Sequence, residues 1–190
     1  MKHSGDNLNK NLAEVATIDL VDLQQLVKDF HYARGGANTA TFRHGLFYKG
    51  ELIGGAWWIP PTKAAAIANW TGDWTKVLTL SRLVCSPNAP RNSASFLLSS
   101  SVRLIKQDAR FEYLLTYADE WRGHTGQIYR ACGWDFLGKT DPEPVWVNGD
   151  GRMMGRKRGP KTMTKRDMEE AGFTMVGRFS KHRFGLKVKT

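Results

Sequence analysis

The stretch that most constrains this chain is residues 79–134, TLSRLVCSPNAPRNSASFLLSSSVRLIKQDARFEYLLTYADEWRGHTGQIYRACGW. An apolar run at 79–85, a polar turn, a long amphipathic segment, a second apolar run at 111–118 and a segment closing on Gly133 read as strand, helix, strand, helix. A strand that feeds a helix through a polar turn leaves unpaired N–H groups at the positive end of a helix dipole, where phosphate or pyrophosphate binds. Residues 88–95 are therefore a candidate anion cradle. The helix is predicted to pack through Leu97, Leu98, Val102, Leu104 and Ile105, with Ser93, Ser95, Ser99, Ser100 and Ser101 largely facing solvent. A plain strand-helix-strand packing unit would show the same pattern.

Ahead of this unit, Asp19 is a predicted N-cap, and Leu20, Leu23, Val27 and Phe30 share one helical face with Leu26 beside it. The helix is predicted to end at Arg34-Gly35-Gly36, with His31 and Tyr32 in its last turn. Residues 41–48 and 52–60 read as a hairpin, in which Gly54 and Gly55 suggest a close backbone approach. Trp57, Trp58, Trp70 and Trp74 are expected in core packing, with base stacking as the alternative. After Trp134 the sequence predicts a strand at 135–139, a turn at 141–144, a helix at 164–171 capped by Thr164, and a final strand at 177–186 closing the sheet.

With 190 residues, 41% hydrophobic and 24% charged, the composition is that of one globular domain plus a tail. No apolar run approaches a membrane span and the N-terminus has no signal-peptide core, so a cytosolic protein is expected. Cys85 and Cys132 are expected as buried thiols. The net charge of +10 is uneven: residues 1–147 hold 16 Lys+Arg against 14 Asp+Glu, or +2, and residues 148–190 hold 12 against 4, or +8. Arg152, Arg156, Lys157, Arg158, Lys161, Lys165 and Arg166 form the footprint of a phosphate-backbone contact, with a solvated loop as the bland alternative. The expected division is a flexible N-terminal arm (1–17), a core (18–147), and a mobile basic loop with a C-terminal strand completing the same domain (148–190).

Tyr129-Arg130-Ala131-Cys132-Gly133-Trp134 resembles the Y-x-x-x-G-F ending of the GNAT acyltransferases, and the resemblance extends over about residues 20–138. It implies an α+β, three-layer fold: a mixed, mostly antiparallel twisted sheet flanked by helices, here with a basic C-terminal extension. It also implies a strand pair that splays to admit an acyl donor, and a helix tyrosine that protonates the leaving thiolate. Phe30-His31-Tyr32-Ala33, Leu80-Ser81-Arg82-Leu83, the serines from Ser93, and Tyr117-Ala118-Asp119 leading to Tyr129 resemble, more narrowly, the phage Mom family. Members of that family modify adenine N6 in DNA with a methylcarbamoyl group, which protects it from host restriction.

The resemblance implies double-stranded DNA as partner, with the adenine flipped out, and the cytoplasm of a bacterial host as the place of action. A dimer is one option for the oligomeric state. Among catalytic residues, Asp119 would accept the amine proton or orient the base, Tyr129 would act as acid, and His31 and Tyr32 would line the substrate side, with His31 acting in proton transfer. Arg82, Ser93 and Ser95 would hold the donor or an oxyanion. Each has a structural alternative: a dipole partner for His31, a cross-strand ion pair for Arg82 with Asp119, caps for Ser93, Ser95 and Asp119, and a core tyrosine for Tyr129. The sequence departs from the GNAT pattern in one respect, because the turn at 88–94 has none of the glycines of the R/Q-x-x-G-x-G/A motif. Either the donor is not acetyl-CoA or a further step follows, assisted by a divalent metal such as iron with His31 as ligand. The rival readings are a conventional GNAT N-acetyltransferase acting on a protein or small amine, and a non-catalytic DNA-binding module of the same fold.

Overall fold

Trp57 and Trp58 are neighbours in one strand and both fully buried, so they face opposite ways and each anchors one of the two layers around a central sheet. The structure is a computed structural model that describes residues 4–151, 153–158 and 161–188. In chain order its elements are β1 (Ser4–Asn7), β2 (Ala13–Thr17), α1 (Leu20–Phe30), β3 (Phe42–Tyr48), β4 (Glu51–Ile59), α2 (Lys63–Ile67), β5 (Val77–Cys85), β6 (Pro90–Arg91), α3 (Ser93–Ile105), β7 (Tyr113–Asp119), α4 (Gln127–Ala131) and β8 (Asp135–Lys139). There follow β9 (Glu143–Val147), β10 (Met153–Met154), β11 (Lys157–Arg158), β12 (Lys161–Thr162), α5 (Lys165–Glu170), β13 (Thr174–Phe179) and β14 (Lys181–Lys187).

The central sheet has seven strands in the order β2-β3-β4-β5-β7-β14-β8. β5 and β7 pair in parallel, and the other neighbours are antiparallel. On one face α1 buries Leu23, Leu26 and Val27 against Ile18, Trp57 and Val84. On the other, α3 buries Leu97, Leu98, Val102 and Ile105 against Trp58, Leu78 and Leu114. This is the expected α+β, three-layer, mostly antiparallel architecture. The close approach expected at Gly54 and Gly55 is present: a Cβ on Gly55 would lie 2.5 Å from Leu23 Cδ1 and one on Gly54 would lie 2.9 Å from Val84 O.

Several local expectations change. The helix α1 stops at Phe30, so His31 is its C-cap in an extended conformation and Tyr32 lies beyond it. Leu26 is buried while Phe30 is 37% exposed, because the buried stripe follows the leucines that fit over Gly55. The serines of α3 do not form a solvent face. Ser93, Ser100 and Ser101 are buried, and Ser101 accepts from Trp58 Nε1 (2.7 Å) and bonds His44 Nδ1 (2.6 Å), which lets a small polar residue sit in the core with its hydroxyl satisfied.

The N-terminal arm is not loose over residues 13–17, which form the edge strand β2, and β1 pairs in parallel with β6. The expected final strand breaks at buried Ser180 into β13 and β14. Between β8 and β14 the chain builds a lobe, in which β10, β9 and β13 make a three-stranded sheet and Trp146, Met168 and Phe173 form a separate small core. Where a basic loop was expected, the backbone carries β10 and the β11–β12 pair.

Candidate active site

The pairing of β5 with β7 covers only residues 77–80 against 113–116. Beyond that, β5 runs on with β4 to Cys85 and β7 runs on with β14 to Asp119, so the sheet opens between two parallel strands at their C-terminal ends. The Thr116 hydroxyl donates to Leu80 O (3.2 Å) at the last paired position. His31, Tyr32, Arg82, Asp119 and Tyr129 gather around this opening.

Asp119, the last residue of β7, is 7% exposed. Its Oδ2 accepts from the Tyr32 hydroxyl (3.4 Å) and its Oδ1 accepts from the Trp121 backbone N–H (3.3 Å), so it both caps the following turn and faces Tyr32. Burial, with the Asp119 charge adding to it, pushes the Tyr32 phenol up to about 12 and keeps it a proton donor. His31 stacks on Tyr32 with ring centroids 4.4 Å apart. Burial, together with Arg82, His124 and Arg122, lowers His31 to about 4, so its imidazole is neutral at physiological pH. Its Nδ1 accepts from the Ala33 N–H (3.1 Å), which leaves the ring proton on Nε2. In this tautomer His31 presents a donor to the site and has no free lone pair to serve as a base.

Arg82 does not pair with Asp119. Its Nε donates to Gly35 O (3.0 Å) and its Nη1 to Ser81 O (2.7 Å), tying β5 to the loop after α1. Tyr129 is half-buried in α4, with its ring against Phe184 (5.2 Å) and Trp134 (5.8 Å). Burial raises its phenol, opposed by the Thr116 hydroxyl beside it, so it too is held protonated next to the point where the strands part.

Ser93 Oγ donates to Pro90 O (2.7 Å) and Ser95 Oγ to Asn92 O (3.0 Å). Their protons serve the turn itself, and only oxygen lone pairs remain for a ligand. The glycine missing from this turn is replaced by Asn92, which takes the left-handed conformation (φ 69°, ψ 4°) as N-cap of α3 and makes no side-chain cap. Asparagine tolerates that conformation better than most residues. The turn shape is therefore made without glycine, and the first N–H groups of α3 carry no cap from it.

Four of the seven predicted DNA-binding residues have described side chains. Arg152 lies outside the described residues, as do the side chains of Lys157 and Arg158. Arg156 Nε is bound to Met163 O (2.7 Å), Lys165 and Arg166 face Glu169 and Glu170 one turn on, and Lys161 is exposed. The metal expectation for His31 finds no support among the described residues. No group of three or more His, Cys, Asp or Glu side chains suited to a metal occurs among the described residues, and His31 has cations around it and Nδ1 already occupied. These residues do not fit a metal centre.

Sequence reasoning missed the loop after Asp119. Arg122 lies over Trp121 (4.0 Å) and Tyr32 (5.1 Å), and His124 meets Tyr32 edge-on (5.6 Å). The available signal was Trp121-Arg122-Gly123-His124, aromatic and cationic residues directly after a strand-end carboxylate.

The model of the Mom protein family matches residues 12–184. The chain belongs to the Mom family. Its similarity to the methylcarbamoylase Mom of Escherichia phage Mu is 26% identity over 140 residues, 72% of this chain and 58% of that protein, so a large part of the phage Mu protein has no counterpart in the match. Among solved structures, a spermidine N-acetyltransferase from Vibrio cholerae in complex with CoA and spermine matches with a TM-score of 0.56 at 10% identity, covering 94% of this chain and 96% of that one. An N-acetyltransferase from Staphylococcus aureus Mu50 matches with a TM-score of 0.55 at 12% identity, covering 93% and 99%. These likenesses identify the GNAT fold. The four segments that resembled the Mom family in sequence, around His31, Arg82, Ser93 and Asp119, all lie within the matched residues. No helix among the described residues is long and apolar enough to cross a membrane.

Proposed function

We propose that this protein is a DNA-modifying transferase that places a methylcarbamoyl group on adenine N6 and so protects DNA from restriction; transfer from an acyl thioester of coenzyme A by itself leaves an N6-acyl group, so either the donor is a different one or a nitrogen-adding step follows the transfer. The observation that carries this reading is the Tyr32–Asp119 pair at the mouth of the β5–β7 opening, in a chain of the Mom family whose phage Mu relative is named a methylcarbamoylase. The opening, the left-handed turn at Asn92 and the uncapped start of α3 suit a thioester carrying a pyrophosphate. The Vibrio cholerae acetyltransferase of the same fold is described with CoA. When bound, the donor supplies an electrophilic carbon and a thiolate leaving group.

Adenine N6 is a weak nucleophile whose lone pair is conjugated into the ring, and it is stacked inside the duplex. The base must be extruded before it can react. As the N–C bond forms, the amine proton passes to Asp119 Oδ2, which the Tyr32 hydroxyl orients. Tyr129 gives its proton to the departing sulfur. His31 Nε2–H and the Arg82 guanidinium stabilise negative charge developing on oxygen. Residues of the 140–180 lobe, exposed Lys161 among them, contact the phosphate backbone.

The test is mass spectrometry of nucleosides from DNA of cells expressing the protein. A methylcarbamoyl-modified deoxyadenosine that vanishes with Asp119→Asn is expected. Unmodified adenine, alongside acetylation of a protein or small amine, would assign the chain to conventional N-acetyl transfer; N-acetyladenine would keep the acceptor and replace the transferred group.

A further inference from the structure

We propose that Arg122 is an anion-binding residue on the acceptor side of the site, and that it takes the phosphodiester adjoining the adenine to be modified; this rests on the DNA reading above. A guanidinium offers two kinds of surface, flat faces that stack on aromatic rings and an in-plane fork that donates to paired oxygens. In Arg122 the faces are in use, with Cζ 4.0 Å from the Trp121 ring centroid and 5.1 Å from that of Tyr32. The fork is not. Its Nε is buried and has no hydrogen-bond partner, and Arg122 makes no ion pair among the described residues.

The nearby groups do not supply that partner. Asp119 has Oδ2 on the Tyr32 hydroxyl and Oδ1 on the Trp121 N–H. Arg82, the other arginine facing His31, spends its Nε and Nη1 on Gly35 O and Ser81 and keeps only Nη2 for the reacting oxygen. His124 meets the Tyr32 ring edge-on beside them and offers no carboxylate. A buried donor without an acceptor costs free energy until an acceptor reaches it, so an oriented, unpaired fork is suited to an incoming anion.

Arg122 stacks on Tyr32, whose hydroxyl meets the carboxylate that would take the N6 proton, so an anion on its fork would sit close to the acceptor base. In DNA the anion fixed to that base is a flanking phosphodiester. The donor's pyrophosphate is the other phosphate in the reaction, and the turn at Asn92 provides for it.

The test is binding of a single-stranded oligonucleotide containing one adenine, followed by fluorescence anisotropy. The linkage on its 5′ or its 3′ side is replaced in turn by a neutral methylphosphonate. Wild-type protein should lose roughly tenfold or more in affinity at one of the two linkages. Arg122→Gln should bind the native oligonucleotide weaker by about that factor and show no further loss with the methylphosphonate. Arg122→Lys, which keeps the charge and loses the fork, should fall between. CoA affinity should be the same in all three proteins. Methylphosphonates without effect on the wild type, a penalty that persists in Arg122→Gln, or a loss of CoA affinity in that variant would each overturn the proposal. If DNA is still modified in such a case, the proposal alone fails. A wild type that neither binds the oligonucleotide nor modifies adenine sinks the DNA reading with it.

Discussion

The Tyr32 hydroxyl donates to Asp119 Oδ2 at 3.4 Å and joins the segment after α1 to the end of β7 across 87 residues of sequence. That distance is long for an O–H···O bond, whose usual value is near 2.8 Å, and it leaves room to tighten when substrate closes the site. Asp119→Asn keeps an oxygen for the Trp121 N–H and removes the proton acceptor. Modification should fall by about 100-fold or more while the melting temperature stays within a few degrees. Tyr32→Phe removes only the orienting hydroxyl and should cost less, about tenfold. Nucleoside mass spectrometry with parallel thermal melts checks both, and a fully active Asp119→Asn would remove the carboxylate from the mechanism.

His31 is the donor in this arrangement. His31→Ala should change stability by about 1 kcal/mol or less, since the residue lies past the helix end and outside the apolar stripe of α1. If it supports a developing oxyanion, its loss should lower the rate about 100-fold with little change in DNA affinity. Single-turnover kinetics beside anisotropy separates the two quantities, and unchanged turnover would make His31 a helix-end residue only.

Two histidines give the fold a predictable acid limb. Burial lowers His44 to about 4, and His31 is lowered to about 4 as well, against 6.5 in the unfolded chain. The folded state therefore binds fewer protons than the unfolded one between those values. Stability from this source is full above about pH 6.5 and is lost as pH falls towards about 4, by at most about 1.4 kcal/mol per pH unit per histidine and by less for half-buried His31. Urea midpoints at pH 7 and pH 5 measure the slope, and His44→Gln should flatten it.

Asn92 predicts an asymmetric pair of substitutions. Asn92→Gly should leave stability and CoA affinity nearly unchanged, because glycine enters the left-handed region without strain. Asn92→Val should cost about 1–2 kcal/mol and weaken CoA binding, because a branched Cβ opposes that conformation. Thermal melts and CoA titration test this; equal behaviour of the two variants would mean that the turn does not depend on its left-handed residue.

In the basic lobe the ion pairs set an order. Lys161→Gln should reduce the slope of log affinity against log salt by up to about 0.9, the value for one phosphate no longer neutralised. Lys165→Gln and Arg166→Gln should do less, since Glu169 and Glu170 already neutralise part of their charge. Anisotropy across a salt series reads the slopes, and identical slopes for wild type and Lys161→Gln would take this lysine out of the interface.

The sheet and its flanking helices were legible because hydrophobic period is local: α1, β3, β4, β5 and α3 lie within a few residues of their predicted bounds. His31, Tyr32, Asp119 and Tyr129 were legible through family resemblance, with their meeting at one opening a matter of topology. Other features are set by groups distant in sequence. Ser101 reads as a surface serine until His44 and Trp58 arrive from neighbouring strands. Arg122 reads as an ordinary loop cation, because its stacking partner Tyr32 comes from the segment after α1, with four strands of the central sheet between them in the chain. The tautomer of His31 depends on a single backbone N–H that exists only because the helix has ended.

The strand β14 lies between β7 and β8, although both are made before it. During synthesis the place beside β7 that β14 takes stays unfilled until residues 140–180 have emerged. Only then does Lys181 come to rest opposite Asp119, and Phe184 against Tyr129. The proposed base and acid are braced last, by the same strand, so no nascent fragment ending before it carries a finished reaction centre.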